Sequence, residues 1–149
     1  MGMLIRMIVG GLLIGLAGTT VAAAQTAAEM NETLDEIFGD HAPYRAFFEK
    51  LKKAVADNDR KTVASLVEYP FKARINDKSV TIGDAAHFTA DYDKVFTDTV
   101  KKAVNNQTYP KLFANWQGVM VGDGEVWFNG ICGDDSCSQQ TVRIIAVND

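Results

Sequence analysis

The sequence has no excess of positive charge. It carries 15 Lys and Arg residues against 19 Asp and Glu, which gives a net charge of −4 at pH 7. A nucleic-acid partner needs a basic surface that neutralises phosphates, so this balance argues against nucleic-acid binding. It also argues against electrostatic attachment to anionic lipid.

Catalytic and metal-binding motifs are scarce as well. The chain has two histidines and two cysteines, and it contains no GxSxG, HExxH or Ser/His/Asp arrangement. Gly122-Asp123-Gly124 lacks the lysine and the following helix of a phosphate loop and is typical of a hairpin turn. His41, beside Ala42-Pro43, is predicted to lie in a surface loop. We therefore predict no metal site and no cofactor.

The two cysteines, Cys132 and Cys137, stand in the segment ICGDDSC. An even cysteine count in an exported protein favours a disulfide, and a ring this small stabilises by about 2 kcal/mol on the loop-closure model. A redox pair is typically CxxC, whereas four residues intervene here. A metal site would need two more ligands, and the nearby Asp134 and Asp135 suit soft thiolates poorly.

The N terminus has the three parts of a secretory signal peptide. Arg6 precedes an apolar run from Met7 to Val21, and Ala22-Ala23-Ala24 before Gln25 fits the small-x-small cleavage rule. We predict a signal peptide over residues 1–24 and a periplasmic or secreted mature chain with no membrane contact. The alternative is an uncleaved anchor, although the apolar run barely reaches the length that spans a bilayer. Cleavage leaves 14 basic against 19 acidic residues, a net charge of about −5.

Apolar spacing predicts helices in the first half of the remaining chain. Residues 25–43 fit a short helix or loosely docked arm that Gly39 would stop. A domain over residues 44–149 follows, and it opens with an amphipathic helix that ends near Asp57-Asn58. Asp59 can cap a second short helix. The first of these helices has an apolar face made of Tyr44, Phe47, Phe48, Leu51 and Val55.

The period then changes from helix to strand and back. Alternation from Phe71 to Ile75, a turn at Asn76–Lys78 and the apolar Val80 and Ile82 predict a β-hairpin. Asp84 caps a third helical region that runs to about Val104 and can bend near Thr89. Its predicted apolar stripe consists of Phe88, Tyr92, Val95, Phe96, Val100 and Val104.

The last third predicts a three-stranded meander. Its strands are Leu112 to Val121, Glu125 to Ile131 and Thr141 to Val147, with the Cys132–Cys137 loop at the second turn. Helices packed on one side of a curved, mostly antiparallel sheet make an α+β roll.

This order of elements resembles the NTF2-like (SnoaL-like) superfamily. Short stretches of the sequence also resemble small exported bacterial proteins of unknown function. The matching pieces are VASLVEYPFKARIN, the spacing from Ile82 through Phe88 to DYDKVF, and GVMVGDGEVWFNG before a closing IIAVN. The resemblance covers about residues 44–148. It implies an NTF2-like roll that can pair as a homodimer through its open sheet face. The superfamily includes enzymes, ligand-binding proteins and interaction modules, so the fold alone assigns no activity.

His87 and Asp91 are the weak catalytic candidates. They stand four residues apart and share a helix face. In NTF2-like enzymes a His–carboxylate pair in the cone can act as acid and base, which would make His87 the proton carrier and Asp91 its orienter. The alternative, which the sequence favours, is a solvent-facing pair. Asp91, Asp93 and Asp98 are better explained as solvated acids than as a cation site, since Asp91 and Asp93 point to different helix faces.

Tyr92, Trp116 and Trp127 are the candidate ligand-binding residues, because aromatic side chains with a polar tip are favoured in pockets. Simple core packing is the alternative, and the sequence favours it because half-buried strands are where tryptophan is commonly found. The leading hypothesis is an exported non-enzymatic module that binds a small apolar ligand or an envelope protein. One alternative is an NTF2-like enzyme. Another is an inhibitor or immunity-type protein acting through the stapled loop from Gly133 to Ser138.

Overall fold

The structure is a computed structural model that describes residues 24–149. The predicted signal peptide lies outside the described residues except for Ala24. Within this range, helices pack against one face of an antiparallel sheet, so the prediction of an α+β fold is confirmed. The helices are α1 (Ala27–Phe38), α2 (Ala42–Ala56), α3 (Arg60–Ser65), α4 (Ala85–Ala90), α5 (Tyr92–Val95) and α6 (Asp98–Asn106), with a 3-10 helix at Tyr109–Lys111. The strands are β1 (Phe71–Ile75), β2 (Lys78–Ile82), β3 (Phe113–Asn115), β4 (Gly118–Val121), β5 (Val126–Cys132) and β6 (Gln140–Val147).

Helix α1 is part of the hydrophobic core. A capping box starts it: the Thr26 hydroxyl accepts the Glu29 N–H at 3.2 Å, and the Glu29 carboxylate accepts the Thr26 N–H at 2.6 Å. Gly39 ends it with a φ of 87°, as predicted. Met30 and Leu34 are fully buried, so the interpretation of this segment as a loosely docked arm is wrong. Their burial against the domain holds the helix in place.

Helices α2 and α3 agree with the predicted pattern. All five apolar residues of the α2 stripe are buried. The Asp59 carboxylate accepts the Thr62 N–H at 3.1 Å and caps α3. The β1–β2 hairpin is also confirmed, with Phe71 opposite Ile82 and a turn in which Asn76 and Asp77 both have positive φ.

The third helical region is three short helices. Asp84 caps α4 as predicted, but the helix breaks at Asp91 and again at Phe96. Thr97 then accepts the Val100 N–H and starts α6, because a threonine at a helix start satisfies a backbone donor that would otherwise be free. The breaks keep the predicted apolar stripe inside: Phe88, Tyr92, Val95, Phe96, Val100 and Val104 are all buried.

The C-terminal sheet has four strands in the order β3-β4-β5-β6, all antiparallel. The prediction of one strand over Leu112 to Val121 is wrong, since Trp116 and Gln117 form a tight turn inside it. Gly118 follows that turn with a φ of 141°, and the Asn115 side chain accepts the Gln117 N–H at 2.8 Å. A side chain at Gly118 would meet the Phe128 carbonyl at 2.7 Å, so glycine is required there.

The inner face of this sheet carries the buried residues Val119, Val121, Val126, Phe128, Val142, Ile144 and Val147. The free edge of β6 is covered in part by the segment after α3. There the Ile144 N–H donates to the Leu66 carbonyl at 2.8 Å, and the Glu68 N–H donates to the Ile144 carbonyl at 3.0 Å. No helix within residues 24–149 combines the length and the apolar character that crossing a bilayer would require.

Candidate functional site

Tyr92 is buried in an aromatic cluster of the helical layer. Its ring stacks on Phe96 at 5.4 Å and meets Phe88 edge-on at 6.3 Å. The Arg60 guanidinium and the Lys101 ammonium lie 5.4 and 5.2 Å from the ring centroid. The ring is therefore fully enclosed by protein side chains and is not accessible as a pocket wall.

The Tyr92 hydroxyl has no hydrogen-bond partner among the residues that the structure describes. Burial raises the pKa of Tyr92 to about 12, and the neighbouring Asp93 acts in the same direction. The phenol therefore stays neutral at physiological pH. An unpaired buried hydroxyl destabilises a fold, which makes this atom a place where the core can be improved.

Asp93 joins two helices above the aromatic cluster. Its carboxylate contacts Arg60 of α3 and Lys101 of α6, each at 2.8 Å. The hydrogen bond from Lys101 lowers the pKa of Asp93. Asp91 turns the other way, to His87 and Lys94, so the expectation that the two acids point to different faces is confirmed.

His87 and Asp91 contact each other, as their spacing indicates. His87 Nε2 lies 3.2 Å from Asp91 Oδ2, and the histidine side chain is 45% exposed. Asp91 Oδ1 accepts from Lys94 at 2.8 Å, and this bond lowers the pKa of Asp91. The pair lies at the surface of the helical layer, outside the aromatic cluster. Such a pair is typical of a solvated i, i+4 contact. In the described part of the chain, no further catalytic group contacts it.

The two tryptophans lie apart from Tyr92. Trp116 sits in the β3–β4 turn and is 80% exposed. Trp127 is half-buried on β5, where the inward-facing neighbours are Val126 and Phe128. Trp127 therefore points to the opposite, outer face of the sheet. The structure does not bring the three predicted ligand-binding residues together.

Trp127 belongs to an apolar row that crosses the outer face of the sheet. Phe113 on β3 pairs with Met120 on β4, Met120 pairs with Trp127, and Trp127 pairs with Ala146 on β6. We call these four residues the outer row. Four strands spaced about 4.8 Å apart make it roughly 14 Å long. The rings of Phe113 and Trp127 meet edge-on at 6.4 Å, and Phe113 remains 49% exposed.

The end of β6 extends this apolar surface. The register between β5 and β6 shifts between Trp127 and Phe128, which leaves Ile145 as an extra residue opposite that step. Ile145 is one of the exposed large hydrophobic residues of the chain. The other face of the same sheet is fully covered by the core, so apolar side chains on this face are the ones left for contact with another molecule.

The Cys132–Cys137 disulfide is present and closes the loop between β5 and β6. Inside it, the Asp134 carboxylate accepts from the hydroxyls of Ser136 and Ser138, each at 2.6 Å, and from the Ser138 N–H at 3.1 Å. These hydrogen bonds, the Ser136 bond first, lower the pKa of Asp134 to about 2. The loop is therefore held by hydrogen bonds to the Asp134 side chain as well as by the disulfide.

A polar cluster that the sequence did not indicate joins α1 to α2. The Asp35 carboxylate accepts the His41 N–H at 2.7 Å and contacts His41 Nδ1 at 2.8 Å, which lowers the pKa of Asp35. Asp40 accepts the Ala42 N–H at 2.9 Å. The three side chains are close enough to share a cation. Each is already used in holding the loop, so we assign the cluster a structural role.

Sequence reasoning found Trp127 but missed Phe113, Met120 and Ala146. Alternation along each strand could have indicated which residues share a face, but the strand pairing that aligns them was needed to identify the row. The chain matches no protein-family model, no curated protein and no solved structure. The resemblance to the NTF2-like superfamily therefore stays a prediction.

Proposed function

We propose that this protein is an exported, non-enzymatic binding module that recognises a partner protein through the outer row. The observation that carries the proposal is the alignment of Phe113, Met120, Trp127 and Ala146 across four strands, on the sheet face opposite the buried core residues. Aromatic residues and methionine are enriched in the cores of protein interfaces, and tryptophan is prominent among residues that dominate binding energy.

A small apolar ligand inside the fold is the weaker of the two binding hypotheses. The space between the helices and the sheet is filled by large side chains, with Phe88, Tyr92, Phe96 and Phe128 all fully buried. The outer row is open and extended across the sheet, which suits a protein surface better than an enclosed small molecule.

Two features support export and the NTF2-like architecture as parts of this proposal. A disulfide persists in oxidising compartments. The Cys132–Cys137 bond and the signal-like N terminus therefore both support a periplasmic or extracellular location. The packing of helices on one face of a mostly antiparallel sheet is the arrangement that the NTF2-like resemblance implies.

Site-specific photocrosslinking tests the proposal. We would place p-benzoylphenylalanine at Phe113 in cells that naturally make the protein, with a control at the exposed Lys61 on α3. We expect a discrete heterologous adduct from position 113 and none from position 61. Trp127→Ala should abolish the adduct, whereas Trp116→Ala, which removes a more exposed tryptophan outside the row, should leave it intact.

Three results would overturn the proposal. Equal crosslinking from positions 61 and 113 would show that the row is not a specific surface. An adduct with a second copy of this chain would assign the row to a homodimer. An adduct only from Asp135, a third probe position in the stapled loop, would favour the inhibitor-type alternative, which the ordering of that loop by Asp134 supports.

A further inference from the structure

The middle of the outer row borders a cleft with acidic walls. Met120 and Trp127 form its apolar floor, and the β4–β5 turn borders it. The turn is held there by Asn148, whose side chain donates to the Gly124 carbonyl at 2.7 Å and whose N–H donates to the Glu125 carbonyl at 2.9 Å. The volume of the cleft is about 360 Å³.

The polar lining of this cleft carries charge of one sign. Asp123 and Asp149 contribute exposed carboxylates, and Glu125 also borders the cleft while its carboxylate accepts the Asp123 N–H at 2.6 Å. No lysine or arginine lines the cleft among the described residues. Lys102 and Lys111 line a neighbouring cleft that Asp123 and Glu125 also border, but neither lysine forms a salt bridge with these two acids in the described part of the chain. Negative charge therefore concentrates beside the half-buried indole ring of Trp127, which is the environment that attracts a cation.

We propose that the partner inserts a lysine or arginine side chain into this cleft, with its aliphatic stem on Trp127 and Met120 and its charged head at the carboxylates of Asp123 and Asp149. This inference rests on the proposed function, because it names the chemistry of the partner that the outer row binds. Long basic side chains bury their stems on apolar surface while the head stays with charge or water. The indole face adds a cation–π attraction.

The same charges argue against the other occupants of the face. An anionic membrane surface would be repelled by the three carboxylates. A second copy of the chain would present the same carboxylates beside its own row, and the chain carries a net charge of −4. A basic segment is the occupant whose charge complements the surface.

The experiment uses Trp127 as its own reporter. The chain has two tryptophans, so Trp116→Phe leaves Trp127 as the single indole. We would titrate this variant with butylguanidinium, following Trp127 fluorescence and the NMR shift of its indole N–H. The neutral probe butyramide and the anionic probe butyrate have comparable apolar stems. We expect saturable changes with the cation only, and a weaker response as salt is added.

A charge-matched pair of variants locates the effect. Asp123→Asn/Asp149→Asn should weaken butylguanidinium binding by about three- to tenfold, the range expected for two exposed charge pairs. Asp57→Asn/Asp98→Asn removes two carboxylates elsewhere and should leave binding unchanged. All four side chains are on exposed residues, so the substitutions do not disturb the core.

Several outcomes would overturn the inference. They are equal responses to butyramide and butylguanidinium, equal losses in the two double variants, or no response of the Trp127 indole to any probe. Sedimentation as a dimer that Trp127→Ala dissolves would assign the face to a second copy. If position 113 still crosslinks a partner while the cation fails to bind, the inference fails and the proposed function stands.

Discussion

Replacing Tyr92 by phenylalanine should stabilise the protein. The hydroxyl is buried and has no partner among residues 24–149. An unsatisfied buried polar group costs about 1–3 kcal/mol, and removing it is the only chemical change in Tyr92→Phe. The stacking on Phe96 at 5.4 Å, the edge contact with Phe88 and the cations over the ring all remain available to phenylalanine. We expect a gain of about 1 kcal/mol in the free energy of unfolding.

Tyr44→Phe is the matched control with the opposite sign. The Tyr44 hydroxyl donates to Asn129 Oδ1 and accepts the Gly130 N–H, each at 3.2 Å. The Gly130 N–H keeps a second partner in Asn129 Oδ1 at 2.8 Å, so the substitution does not orphan the backbone. The expected loss is about 1 kcal/mol, the net value of a satisfied hydrogen bond. The two variants should therefore differ by about 2 kcal/mol.

Equilibrium urea unfolding followed by far-UV circular dichroism measures both effects. With a slope of about 1–3 kcal/mol per molar urea, each variant should shift the midpoint by about 0.5 M, upward for Tyr92→Phe and downward for Tyr44→Phe. Unchanged slopes would show that the denatured state is unaffected. A loss of stability in Tyr92→Phe would refute the reasoning, because it would mean that the hydroxyl is satisfied in the native protein.

Three further predictions concern pH and the packing of α1. Burial raises the pKa of Tyr92 to about 12 in the folded state, above its ordinary value of 10. The stability that depends on a neutral Tyr92 phenol is therefore intact below pH 10 and is lost as pH rises through 12. In alkaline unfolding, the free energy of unfolding of wild type should fall more over that window than that of Tyr92→Phe. Leu34→Ala should lower the free energy of unfolding by about 2–5 kcal/mol, because Leu34 is fully buried. The exposed Ile37 of the same helix is the control, and equally small losses in Leu34→Ala and Ile37→Ala would contradict a buried α1. The Asp134 carboxyl should titrate near 2 by NMR in wild type, and Ser138→Ala should move that midpoint towards 3.8; an unmoved midpoint would exclude the hydroxyl bond as a cause.

The local parts of the fold were accessible from sequence because their causes are local. Thr26, Asp59 and Asp84 precede helices as caps, although only the last two were identified as such, and Gly39 ends α1 with a left-handed φ. Apolar spacing identified the buried face of α2, since a helical period of 3.6 residues leaves one stripe inside.

The β3–β4 hairpin was missed because its turn has no strong sequence signal. Trp116-Gln117 is not a typical turn dipeptide, and the flanking residues read as one continuous strand. The turn is fixed by the side chain of Asn115 and by Gly118, whose backbone passes against Phe128 of β5. That contact exists only when β4 and β5 are paired.

For the same reason, the sequence could not show whether the candidate ligand-binding residues lie together. A tryptophan in a strand can face the core or the solvent, and a one-residue change of register exchanges the two. Tyr92 belongs to the predicted apolar stripe of the third helical region and packs in the aromatic cluster, which agrees with the core-packing alternative. Trp127 lies on the opposite, outer face of the sheet.

The sequence by itself determined the α+β class, the caps, the buried helix stripes and the Cys132–Cys137 staple, because propensity and short-range spacing act within a few residues of the chain. Tertiary structure decided that Phe113, Met120, Trp127 and Ala146 align in one row, and that Asp123 and Glu125 border the cleft beside the middle of that row. Strand pairing sets that alignment through hydrogen bonds between segments distant in sequence, and no periodicity within one segment encodes its partner's register.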